Sequence, residues 1–428
     1  MNLLLAINWA SIGRSALGIV LAIAILLAMV SIHEFGHYLA GKLLNFKITE
    51  FSIGFGPAIF KKRSKKTGEL FAVRIIPLGG YCAFDGEEYD EDDVRADAQK
   101  REETQAEEPF EGFSTVEIAE NAPTVSAMNE KTDESKDEKK EEQYPEPKGV
   151  RFNEQAPWKR IIVLVAGALM NYVLALVLLL IMCFSYGVPM CIAVPADYDA
   201  NTTLTPVVWE TETLSAADII AEIDGKKITM YTDCMDALKG KLAGETVSVE
   251  IYRLTEEGWK PKTVTLTLQA NADFKNSADV ETLRNAMGFQ IGTRSVKTTF
   301  GRTVGGAFAY SGEMATTVLK TMGELITGAF GDKTADIVGG PVSTIGQTAQ
   351  IAVASPFSFL YMASFIGVNL AVFNLLPVPA LDGSKVIFCI IEWIRKKPIN
   401  RKIETAIHFA GIIFLFGFAI LIDLLKLF

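Results

Sequence analysis

Four runs of apolar residues without a Lys, Arg, Asp or Glu divide this chain: Ala16–Ile32, Ile161–Phe184, Phe357–Leu376 and Ala406–Ile422. As helices, even the shorter ones rise about 25 Å, close to the thickness of a bilayer's hydrocarbon core. In lipid every backbone N–H and C=O must find its partner within the protein, so segments of this kind cross as helices and the polar remainder falls on two sides. The expected fold class is therefore a multi-pass α-helical membrane protein with four transmembrane helices.

Lys and Arg near the span ends set the orientation. Lys42, Lys47, Lys61, Lys62, Arg63, Lys65 and Lys66 follow the first run, and Lys159 and Arg160 precede the second. Lys385, Arg395, Lys396, Lys397, Arg401 and Lys402 lie between the third and fourth, whereas Gly187–Glu222 and Asp336–Pro356 contain no Lys or Arg. The loops after spans one and three are expected to be cytoplasmic, and both termini extracytoplasmic. The formal charge of −10 comes from Asp85–Val150, whose 23 acidic and 8 basic residues leave the rest of the chain at +5. That acidic insertion has too few bulky apolar residues to offset the entropy of ordering, and is expected to be disordered and cytoplasmic. The five Cys residues (82, 183, 191, 234 and 389) show no paired spacing and read as small apolar packing residues.

The polar sequence His33-Glu34-Phe35-Gly36-His37 continues the first apolar run. Ionisable groups at membrane depth are costly and usually have a partner or a function. Residues four apart share one helix face, so both imidazoles can reach one metal ion while Glu34 reaches a water beside it. This is the zinc-hydrolase spacing, and it points to a metal-dependent hydrolase within a membrane. A signal peptide explains the run less well: the apolar core is too long, its basic start is Arg14 alone, and no small-x-small cleavage site stands out. Zinc in a hydrolase usually takes three protein ligands. With three His in the chain, the third is His408, a carboxylate or a thiolate. Asp382 is the better candidate, because spans one and three run in the same direction and Pro377 and Pro379 stop the helix before it. His408, at the start of the fourth span, is near the same face and stays in play.

Between the spans, Ile48–Phe60 and Leu70–Pro77 alternate apolar and other residues about a Lys-Thr-Gly-Glu turn, a hairpin signal punctuated by Gly54, Gly56, Pro57, Gly79 and Gly80. Its apolar content suits a loop that dips into the membrane beside the metal. Val207–Leu268 holds β-rich runs at Thr246–Tyr252 and Thr263–Leu268, an Asp224-Gly225 turn and a helix-like Thr232–Leu242, as in a small α+β domain. Phe300–Phe330 has the spacing of an amphipathic helix on the membrane face.

These motifs together resemble the site-2 protease family. His33–His37 in a first span is followed by Phe51-Ser-Ile-Gly-Phe-Gly-Pro57 and Ile76-Pro-Leu-Gly-Gly80. Trp158-Lys-Arg-Ile and Ala166-Gly-Ala-Leu-Met-Asn171 open the second span, and Asn374-Leu-Leu-Pro-Val-Pro-Ala-Leu-Asp-Gly383 closes the third. The regulator-of-sigma-E type of intramembrane zinc metalloprotease fits best. The resemblance implies Zn²⁺ on His33, His37 and Asp382, Glu34 as the catalytic base, and Asn374 with Gly54 and Gly56 in contact with substrate. It divides the chain into a first transmembrane helix (1–41), a re-entrant β-loop (42–84), the acidic insertion (85–150) and a second helix (151–187). A PDZ-like extracytoplasmic domain (188–296), membrane-surface helices (297–353), a third helix with the Leu-Asp-Gly motif (354–398) and a fourth helix (399–428) complete it.

Expected partners are membrane lipid and single-span substrates, such as anti-sigma factors or signal-peptide remnants, trimmed first by an upstream site-1 protease. No nucleic acid is expected, and the implied location is a bacterial cytoplasmic membrane. Gly167-Ala168 departs from the family's usual Gly-Pro, Ser384 follows Gly383 where a second Gly is usual, and Leu214–Ile228 lacks the usual lead of a PDZ domain. Two other functions compete: a zinc- or cation-handling membrane protein, and an inactive membrane scaffold. The intact His-Glu-x-x-His argues against the scaffold, and the lack of a polar path across spans two and four argues against transport.

Overall fold

The computed structural model describes residues 9–87, 144–195, 214–215, 218–328 and 341–425. Most of the acidic insertion lies outside them. Among the described residues, four helices are long and apolar enough to cross a membrane, with spans at Gly13–Leu43, Pro157–Tyr186, Pro356–Leu375 and Lys402–Leu424.

The first is α1 (Trp9–Leu43), whose helix runs unbroken through the polar motif. The second, α2 (Pro157–Tyr186), starts with a proline in its first turn, where a missing N–H is harmless, and ends at Gly187 with φ 105°. The third spanning helix (Pro356–Leu375) also starts with proline; Ser355 caps it by accepting from the Ser358 N–H, and its exit is set by Pro377 two residues on. Small residues let these helices approach. A methyl group on Gly36 would lie 2.4 Å from the Ala166 carbonyl oxygen of α2, and one on Gly367 would lie 2.9 Å from Ala175 Cβ. Without a hydrophobic drive between helices in lipid, such close packing is a main source of association.

Strands β1 (Ile48–Arg63) and β2 (Leu70–Phe84) follow α1, but they are not a plain hairpin. Ile48–Ile53 pairs antiparallel with Gly80–Phe84, and Ala58–Arg63 pairs antiparallel with Leu70–Arg74. Glu50–Ile53 also lies beside Leu70–Val73, with both numbers rising together. Each strand therefore bends and contributes two segments to one small sheet. The bends fall where the chain takes left-handed backbone, at Gly54 (φ 85°), Gly56 (φ 82°) and Gly79 (φ 104°). Arg74 ties the bends together: its guanidinium donates to Ser52 Oγ, the Gly56 carbonyl, Glu50 and Tyr81 Oη at 2.6–2.8 Å.

The two ends of the acidic insertion meet at the foot of this sheet. The Phe152 N–H donates to the Asp85 carbonyl at 2.7 Å, and Lys47 and Arg151 both pair with the Asp85 carboxylate. Partial burial would raise that carboxyl's pKa, but the two cations outweigh it and hold it below the usual range.

A six-stranded antiparallel sheet occupies Val188–Val296. Its strands are β3 (Val188–Val194), β4 (Ile219–Ile223), β5 (Lys226–Lys227), β6 (Thr246–Thr255), β7 (Gly258–Thr267) and β8 (Gln290–Val296). They are ordered β7-β6-β4-β3-β8, with β5 pairing β4 through the Asp224-Gly225 turn. Val247, Val249 and Ile251 on alternate positions of β6 point to one face, where α3 (Tyr231–Leu238) and α4 (Val280–Met287) close the core. Helix α3 stops at Leu238, short of the Leu242 read from the sequence.

Helix α5 (Phe300–Thr327) buries Thr303, Ala307, Tyr310, Met314 and Val318, a stripe of helical period, against α2 and the third spanning helix. It is thus packed sideways on the bundle, while Phe300, Phe308, Leu319 and Ile326 stay exposed on its outer side. Helix α6 (Pro341–Ala352) leads into the third spanning helix, labelled α7. Helices α8 (Asp382–Arg395) and α9 (Arg401–Leu425) end the chain. Phe409, Ile413, Phe414 and Phe416 of α9 are exposed, as suits a peripheral helix in lipid.

Candidate metal and peptidase site

His33 and His37 sit one turn apart near the end of α1, both buried, with ring centroids 4.7 Å apart. Asp382 is the first residue of α8, not part of an open Asp-Gly turn. Gly383 allows this start, since a methyl group there would lie 2.3 Å from the Leu376 carbonyl oxygen. Asp382 Oδ2 is 2.9 Å from His33 Nε2 and 3.3 Å from His37 Nε2, and the two Nε2 atoms are 3.1 Å apart. Among the described residues these three form the group able to hold a metal ion.

The outer nitrogens test the fit. His37 Nδ1 lies 2.8 Å from the Val163 carbonyl oxygen, which can only accept. Nδ1 therefore carries the proton, and in the neutral ring the Nε2 lone pair is left facing His33 and Asp382. Three electron-rich atoms at this separation call for a cation between them, and a carbonyl or carboxamide behind each imidazole is how metal-ligating His is usually oriented. Asn374 of α7 supplies the second such group, 3.3 Å from His33 Nδ1. With Nε2 on a metal, His33 Nδ1–H would donate, so the Asn374 amide would present its oxygen. Gly167 of α2 closes the far side: a Cβ there would lie 2.4 Å from His37 Nε2 and 2.8 Å from His33 Cε1.

A cavity of about 720 Å³ opens onto this group, lined by Glu34, His37, Asp382, Lys385, the end of β2 from Tyr81 to Phe84, and the turn Asp85–Glu87. Glu34 faces that strand: the Cys82 backbone N–H reaches its carboxylate, and a Cβ on Gly80 would lie 3.3 Å from Glu34 Cγ. Gly80–Phe84 pairs with β1 on one side only, so its other edge borders the cavity. Lys385 is paired with Glu87 at 2.7 Å. Burial would lower the lysine's pKa, but Glu87 outweighs it and keeps the ammonium charged.

The structure places the other sequence candidates differently. Gly54 and Gly56 lie in the bend of β1, both with left-handed φ, and a Cβ on Gly54 would lie 2.6 Å from the Ile76 carbonyl oxygen. His408 is not with the imidazole pair; its Nδ1 accepts from the Ala380 N–H at 3.2 Å. Val163, Gly167 and Lys385 were not sequence candidates. A carbonyl is common to every residue, so nothing in the sequence marks Val163, and Lys385 read only as a topology signal.

The profile of Peptidase family M50 matches residues 21–418. This chain belongs to that family, the site-2 proteases. It is similar to the regulator of sigma-W protease RasP of Bacillus subtilis, 27% identical over 417 residues covering 90% of this chain and 92% of that protein. The zinc metalloprotease RasP of Bacillus licheniformis is 26% identical over 413 residues (90% and 93%). The putative zinc metalloprotease Atu1380 of Agrobacterium fabrum is 26% identical over 396 residues (92% and 91%). The chain is thus a multi-pass membrane protein with a β domain and an intramembrane zinc metalloprotease of site-2 type, with Zn²⁺ as its cofactor. The family assignment removes both the transporter and the inactive-scaffold readings.

Proposed function

We propose that His33, His37 and Asp382 hold the zinc and that Glu34 is the general base, acting on transmembrane segments of single-span proteins. The convergence of three ligand atoms within 3.3 Å, on a cavity shared with Glu34 and an open strand edge, carries this reading. Zinc bound there would acidify a water and polarise the scissile carbonyl. Glu34 takes the attacking water's proton and passes it to the leaving amide nitrogen. Asn374 holds His33 in orientation through its amide oxygen, which leaves its NH2 group to donate to the developing oxyanion.

A transmembrane helix shields its own peptide bonds, so cleavage starts with local unwinding. The freed substrate strand adds to the Gly80–Phe84 edge, whose outward N–H and C=O groups replace the lost helical bonds. The β1–β2 sheet then acts as a re-entrant β-loop beside the metal, which is tolerable because protein and a wet cavity surround it. The Val188–Val296 domain works as a PDZ-like extracytoplasmic filter that holds back large ectodomains, so a first cut by another protease precedes this one. The sigma-W regulation in the Bacillus subtilis relative's name points to anti-sigma factors as one substrate class. The loops after spans one and three, with the acidic insertion, face the cytoplasm.

The test is Glu34→Gln in detergent-purified protein with a single-span substrate. Cleavage should fall by about 10²–10⁴ while one zinc per chain is retained. Undiminished cleavage would remove Glu34 from the mechanism.

A further inference from the structure

The loop Leu376–Leu381 carries Asp382 into the site, and its backbone donors can be accounted for one by one. Pro377 and Pro379 have no N–H. The N–H of Leu376 donates to Phe373, that of Val378 to Leu376 and that of Leu381 to Val378, all at 2.8–3.1 Å. Of these donors, the Ala380 N–H reaches a side chain on a different helix, His408 Nδ1 on the fourth spanning helix. Ala380 is also the strained residue, with φ 81°, a left-handed conformation that an alanine rarely adopts.

The same face of α9 holds the loop sterically. Gly411, three residues after His408, lies against it: a Cβ there would come within 2.4 Å of Pro379 Cβ and 2.6 Å of its carbonyl carbon. The His408 ring also meets Phe388 of α8 edge-on, at 5.8 Å between centroids. Because Nδ1 accepts, Nε2 carries the proton, and that buried atom has no hydrogen-bond partner among the described residues. An unsatisfied buried donor is destabilising, so its ring is held here for what Nδ1 does.

We propose that His408 is a positioning residue for the metal site: by accepting the Ala380 N–H it locks the left-handed turn that aims Asp382 at the imidazole pair. The fourth spanning helix thereby sets the third ligand without touching it. This rests on Asp382 being a ligand, as proposed above.

The test is zinc affinity of the full chain in detergent, measured by competition with a fluorescent chelator, alongside cleavage. His408→Ala should weaken zinc about tenfold, with an unchanged gel-filtration profile. His408→Asn, whose Oδ1 can accept in place of Nδ1, should stay within about twofold of wild type. Adding Ala380→Gly to His408→Ala should recover part of the loss, since glycine takes the left-handed turn without a Cβ penalty. Wild-type affinity in His408→Ala, or an Asn variant as weak as the Ala variant, would overturn the positioning role. Asp382→Ala is the control: if it still binds zinc as wild type does, the ligand reading fails, and this inference with it.

Discussion

Gly167 shows how little room the site leaves at the scale of single residues. It lies within a methyl group's reach of both imidazoles, so Gly167→Val should displace His37 Nε2 and weaken zinc at least tenfold, while α2 stays helical by circular dichroism. Unchanged zinc affinity would mean that the imidazoles move freely, against the packing described. His33 and His37 could be picked out from the sequence because a helix is periodic and four residues make one turn. Asp382 could be named because two prolines stop the preceding helix. The groups that orient them could not be found that way: Val163 acts through its carbonyl, and Asn374 was named through the resemblance as a substrate contact, not as a partner of His33. His408 was noticed for its chemistry and turned out to serve the backbone of another helix's loop.

At the scale of elements, the spanning helices were readable because their signal is composition sustained over many residues. Strands β1 and β2 were only half readable. Alternation marked extended chain, but pairing depends on where each strand bends, and that is decided by φ at Gly54, Gly56 and Gly79 and by the Arg74 hub. Strand addition at Gly80–Phe84 gives an element-scale prediction. Cys82→Pro removes the cavity-side N–H that reaches residue 34 and that an added substrate strand would take over, while leaving the register with Phe51 on the other strand. In the Glu34→Gln background, where substrate is bound but not cut, the substrate should co-purify with the single variant and be lost from the double one. Equal recovery would show that substrate does not add to this edge.

For the whole molecule, the basic residues and the apolar runs together imply one orientation. The five native Cys are buried, so introduced ones can be read against a low background. A Cys at Glu257, in the exposed β6–β7 turn, should react with a membrane-impermeant maleimide in intact cells, whereas one at Lys62 should react only after lysis. The reverse pattern would invert the topology and put the acidic insertion outside. The proposed side placement comes from the sequence alone, because Lys and Arg are counted, not packed. How α5 and α9 close around the bundle was not, because that depends on which stripes of small and apolar side chains meet.

The account stands on one zinc ion shared by α1 and α8, and X-ray absorption at the zinc edge of the purified Glu34→Gln protein tests it most directly. The prediction is a shell of nitrogen and oxygen only, at about 2.0–2.2 Å, fitted by two imidazoles and a carboxylate, with the carboxylate component lost in Asp382→Ala. Sulfur at about 2.3 Å, or a third imidazole that disappears in His408→Ala, would contradict it.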